Sequence, residues 1–234
     1  MAASTLFVRA CALVLIILVT GPLVLVSQQD YRAGTLTQIN VNTKLPNNYK
    51  LNTKLEARQI FSEKERSGNK SSRLRYERTD LHFVLTKKIS ADNSLGGGYL
   101  VRLEDGDLTH RFIQQFNNVH TLDVLNVAHR IVLDETITKS EPLQVRLRYR
   151  LGLERALNGQ SVDPREFYLK INNEYLGIWT RENTDLEIRA AAMIGYNATD
   201  NNKIELGPEY RINEFYTGTK SQQFWLSIGW YVSF

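Results

Sequence analysis

From Gly34 to the C-terminus the chain alternates large apolar residues with polar or small ones. The clearest stretch is 143–154. Its odd positions are Leu143, Val145, Leu147, Tyr149, Leu151 and Leu153, and its even positions are Gln144, Arg146, Arg148, Arg150, Gly152 and Glu154. Wound as a helix, this segment would scatter arginine round the cylinder and bury no clean face. Extended as a strand, it separates into one apolar and one charged face. The C-terminal segment repeats the pattern with Phe224, Leu226, Ile228, Trp230, Val232 and Phe234 on one side. Trp225, Ser227, Gly229, Tyr231 and Ser233 fall on the other. So greasy a strand face aggregates in water but suits the lipid-facing wall of a closed barrel.

Eleven such runs can be read: 34–45, 49–61, 73–88, 94–103, 109–117, 121–136, 142–156, 166–178, 185–197, 202–214 and 223–234. Connections near 46–48, 90–93, 118–120 and 198–201 are short and turn-like. Those at 62–72, 105–108, 139–141, 179–184 and 215–222 are expected to be longer and polar, and 157–165 is a long exception among the short set. Single-chain bacterial barrels usually have even strand counts with tight turns on one side. The expectation is therefore an all-β fold, a transmembrane antiparallel up-and-down β-barrel of about twelve strands, with ten as the alternative. The twelfth would lie upstream of Gly34, around 28–32. The alternative of ten follows if 109–136 is one kinked strand. A soluble β-sandwich also alternates, but its strands typically have about five or six residues, whereas these approach the length that spans lipid. Aromatics near the run ends, including Tyr49, Phe61, Phe167, Tyr175, Trp179, Tyr210, Phe215, Trp225, Trp230 and Tyr231, fit membrane girdles.

Only one stretch approaches a membrane-spanning helix in length, Ala10 to Ser27, preceded by the single cation Arg9 and followed by Gln28-Gln29-Asp30. It reads as a signal peptide, giving a leader at 1–27 and a barrel domain at 28–234. The sole cysteine, Cys11, lies in that leader, so the mature chain would hold no disulfide or thiolate metal site. Composition is 42% hydrophobic with a mean hydropathy of −0.32, too polar for a bundle of membrane helices. The net charge of +4 is a weak bias, and its cations are scattered singly. That argues against a nucleic-acid partner.

The face opposite the apolar stripe carries the charge. It is expected to line the interior with Asp80, His82, Arg130, Asp134, Arg146, Arg148, Arg150, Glu154, Lys170, Glu174, Glu187, Arg189, Glu205, Glu209 and Arg211. Two readings follow: an interlocked network of ion pairs filling a narrow barrel, or a cation-lined water path for small anionic solutes. A lipid-modifying or lipid-hydrolysing barrel enzyme would need a hydroxyl nucleophile beside a histidine. The residues two positions after the four histidines are Val84, Phe112, Leu122 and Ile131, none a hydroxyl. No His-x-His or carboxylate–histidine cluster has metal-ligand spacing, so neither a metal nor another cofactor is expected. Gly96-Gly97-Gly98 lies inside a strand run and precedes no helix. It reads as relief of crowding rather than a phosphate loop.

Several short motifs recur in a characteristic order. They are Gln29-Asp30-Tyr31-Arg32, Thr79-Asp80-Leu81 leading to Leu85-Thr86-Lys87-Lys88, His110-Arg111-Phe112 with Gln114-Gln115, and His129-Arg130-Ile131-Val132-Leu133-Asp134-Glu135. Arg146-Leu147-Arg148-Tyr149-Arg150-Leu151, Asn173-Glu174 and Glu205-Leu206-Gly207 with Tyr210 follow. In this the mature chain resembles a family of bacterial outer-membrane barrels, domain of unknown function 2490. The resemblance implies a barrel exported through the periplasm to the outer membrane, with outer-membrane lipid around it. A monomer is the expected state. It implies no activity. By the same likeness the strand ending in Trp230, Val232 and Phe234 would be the signal read by the barrel-assembly machinery.

Overall fold

The computed structural model describes residues 30–64, 70–139, 142–216 and 220–234; the expected leader lies outside them. In order the strands are β1 (Asp30–Leu45), β2 (Tyr49–Lys64), β3 (Lys70–Ser71), β4 (Arg75–Lys88), β5 (Asn93–Glu104) and β6 (Asp107–Leu122). They continue as β7 (Leu125–Thr138), β8 (Gln144–Ala156), β9 (Glu166–Trp179), β10 (Thr184–Thr199), β11 (Asn202–Asn213) and β12 (Ser221–Ser233). Eleven of the twelve form the wall of a closed barrel, while the two-residue β3 only extends one edge of β2.

Consecutive wall strands pair antiparallel, as the pattern predicts. The ring closes between β1 and β12, which run parallel from Asp30↔Ser221 to Asn42↔Ser233. An odd number of wall strands requires this, because the first and last then point the same way. The count of twelve is met by β3 and not by a strand upstream of Gly34. The chain before Gly34 instead extends β1 back to Asp30, with a bulge between Ala33 and Gly34.

The 107–138 region is a hairpin, but its turn is not at 118–120. It falls at Asp123-Val124, where Asp123 takes the left-handed φ of 54° that Asp tolerates better than most residues. Asn117 and Asn118 stay in the strand, opposite Arg130 and His129. Asn117 Oδ1 accepts from Arg130 Nε at 2.8 Å, so a residue with turn character serves the interior. Asp105-Gly106, expected within a longer loop, is a two-residue turn with both φ positive, the Asp-Gly preference of tight hairpins.

The two faces of the wall differ sharply. On β12, Leu226, Ile228 and Trp230 are exposed on the outer surface, whereas Trp225 and Ser227 are buried inside. Trp225 is thus an interior residue and not part of a girdle. Tyr231 also points inward, its hydroxyl accepting from Gln38 Nε2 at 3.0 Å. Phe61, Phe167, Tyr175, Trp179 and Tyr216 are exposed. The interior is not uniformly polar. Val84, Leu100, Ile113 and Val132 form one apolar cluster, and Leu36, Ile60 and Trp225 another. Each cluster is built from neighbouring strands, the first from β4 to β7 and the second from β12, β1 and β2.

Candidate functional site

Alternation on each strand places charge inside, and register decides which charges meet. Asp134 on β7 stands directly opposite Arg146 on β8, and Arg146 Nε donates to Asp134 Oδ1 at 2.6 Å. Arg111 from β6 reaches the same carboxylate at 3.4 Å and Arg148 reaches its other oxygen at 3.6 Å. Asp134 is only 1% exposed, so three guanidiniums enclose a carboxylate that water hardly touches.

The next centre is Glu174 on β9. Arg150 on β8 stands opposite it in register and is paired with it. Arg189 on β10 contributes a second contact at 3.4 Å and also holds Glu187 at 2.7 Å. On β11, Arg211 binds Glu209 at 2.5 Å. Across the barrel, Arg102 grips Asp80 through two parallel bonds of 2.8 Å, the bidentate fork that guanidinium and carboxylate favour. Glu56 lies between Lys54 at 2.8 Å and Arg58 at 2.7 Å.

The belt is joined across the β12 strand by an aromatic ring. Trp225 has the Arg58 guanidinium 5.4 Å and the Arg211 guanidinium 5.9 Å from its ring centroid, cation–π distances on both counts. Its place exists because β1 has no side chain at Gly34. A Cβ there would meet the Trp225 ring at 2.7 Å and overlap the Gln59 carbonyl. Tyr168 on β9 makes a similar joint, its ring lying where a side chain on Gly195 of β10 would stand. Its hydroxyl donates to Glu205 at 2.9 Å, and Lys170 Nζ donates to the same oxygen at 2.7 Å.

The remaining charged positions lie at the margins of this network. Glu154 faces Lys170 in register, but Lys170 is paired with Glu205. His82 stands opposite Lys54 and Leu100. Arg130 is exposed and donates through Nε to Asn117. Alternation alone would also have found Lys54, Glu56, Arg58, Arg102 and Arg111, all on the polar parity of their runs. Nothing in the pattern distinguished Trp225 from outward aromatics except its parity, which set it among Ser227 and Gly229.

Three of the four histidines are held by neighbouring polar side chains. Tyr99 holds His110, Asn118 holds His120 and Tyr149 holds His129. Among the described residues no serine or threonine hydroxyl bonds a histidine, and no group of His, Cys, Asp and Glu could hold a metal ion.

Residues 33–222 match the family described as "Protein of unknown function (DUF2490)". The chain belongs to this family. The DUF2490 match runs from the start of the β1 bulge to the second residue of β12, and so takes in every member of the ion-pair belt except Trp225. Among curated proteins none matches the chain.

Proposed function

We propose that this protein is a bacterial outer-membrane barrel whose interior is closed by its own paired charges, acting as a structural element or narrow passive conduit. The enclosure of Asp134 by Arg146, Arg111 and Arg148 carries this reading. A carboxylate so deeply buried and so fully paired is part of a packed interior, not of a wide water path. The outer surface supports the membrane setting: Ile39, Leu55, Phe83, Phe112, Ile131, Leu147, Ile194, Leu206 and Ile228 are all exposed there. An apolar surface of that extent is a liability in water and is matched to acyl chains. The leader at 1–27 would direct export through the periplasm. The strand ending in Phe234 would be read by the barrel-assembly machinery.

A porin-like path for small anionic solutes is the second reading. It is favoured by the excess of cation around Asp134, three guanidiniums to one carboxylate, and by the exposure of Arg130. Planar-bilayer recording separates the two. A closed interior predicts no resolved open level for the native protein, and openings once Asp134→Ala and Glu174→Ala dissolve the belt. A steady, anion-selective open level in the native protein, lost on neutralising Arg146, Arg148 and Arg150, would overturn the closed reading.

A further inference from the structure

At the end of the barrel that carries the β1–β2 and β4–β5 turns, a half-open depression of about 750 Å³ is lined by residues of β1, β2, β4, β5 and β6 and of those turns. Lys44, Lys50 and Lys88 line it, with Thr86, Ser94 and Asn48. Each lysine falls on the inward parity of its strand, and Lys44 stands directly opposite Lys50 across the β1–β2 hairpin. Like charges facing each other in a sheet pair are destabilising. Unlike Arg102, Arg146 or Arg189, none of the three lysines has a carboxylate within ion-pair distance among the described residues. One acidic residue, Asp92, belongs to the lining. The loop carbonyls of Asn48 and Asp92 are already occupied by the amides of Lys88 and Val119.

We propose that this vestibule binds a small phosphate-bearing anion. Elsewhere in the interior cations are matched to carboxylates, by arginine at Asp80, Asp134 and Glu174 and by lysine at Glu56 and Glu205, whereas, among the described residues, the three vestibule lysines are not. Lysine is a compact point charge that suits a multiply charged tetrahedral oxyanion. The volume falls within the range of small-molecule sites, leaving room for a phosphate and an attached body. A bound anion would also relieve the Lys44–Lys50 repulsion. The site lies at the mouth and is independent of whether the belt conducts.

Calorimetric titration of the refolded barrel in phosphate-free zwitterionic detergent, with inorganic pyrophosphate as probe, tests the assignment. Saturable binding is expected, weakening as salt rises. Lys44→Gln, Lys50→Gln and Lys88→Gln should each weaken it by about fivefold or more, the loss of one charge-assisted contact. Lys220→Gln should leave it unchanged, since Lys220 lies over the Phe215 ring at 4.9 Å, beside the start of β12 and at the opposite end of the barrel from Lys44. Displacement by glucose 6-phosphate but not glucose identifies a soluble ligand, and displacement by phosphatidylglycerol bicelles identifies a lipid headgroup. Heat-modifiable migration of the triple variant separates loss of the site from loss of the fold. Absence of saturable binding, or a triple variant that folds and binds like the native protein, overturns the proposal.

Discussion

Two residues concentrate the energetics of the interior. Asp134 is the one carboxylate that Arg146, Arg111 and Arg148 share, so Asp134→Asn removes the negative charge from among three guanidiniums. Removing one member of a buried pair typically costs about 3–5 kcal/mol, and urea unfolding of the barrel in lipid vesicles should register a loss of that order. Gly34 is the second. Gly34→Ala places a methyl group against the Gln59 carbonyl and the Trp225 ring, overpacking expected to cost about 1–3 kcal/mol. The same unfolding assay checks it, and a variant as stable as the native protein would show that the ring has room to move. Neither role could be read from composition. Asp134 matters because the pairing of β7 with β8 sets Arg146 opposite it. Gly34 matters because a strand nearly two hundred residues away returns beside it.

At the scale of the strand, much was legible. A period of two assigns a face to each residue without knowledge of its partners, so the inward set on β8, Arg146, Arg148 and Arg150, follows from Leu147 and Tyr149 pointing out. Strand ends were less legible, because turn-prone residues also serve as interior hydrogen-bond groups. Asn117 and Asn118 resemble a turn, yet Asp123 makes it. The two-residue β3 has no pattern at all. The terminal strand carries its own prediction. Phe234 is largely exposed and its backbone bonds Asn42 and Lys44 of β1, so it seals the parallel joint. Phe234→Ala, or deletion of Trp230 to Phe234, should lower membrane insertion in cells, read as the fraction of heat-modifiable folded protein. Unchanged levels would contradict a role for this strand in assembly.

At the scale of the whole molecule, the count of wall strands was the feature the sequence could least supply. Alternation gives strands but not how the first meets the last. An even count and an odd count differ only in whether that joint is antiparallel or parallel. Closure leaves no free edge on the eleven-stranded wall.

The central claim is that one face of this wall meets acyl chains while the other encloses a packed, charged interior. The three tryptophans provide the most direct measurement, because Trp230 is 47% exposed on the outer surface and Trp225 is 2% exposed within. Variants retaining only one of these two, with the other tryptophans replaced by phenylalanine, can be refolded into vesicles containing brominated phospholipid. The account predicts strong quenching of Trp230 and little of Trp225. Equal protection of both, together with a chain that stays folded and monomeric in buffer without detergent, would contradict it.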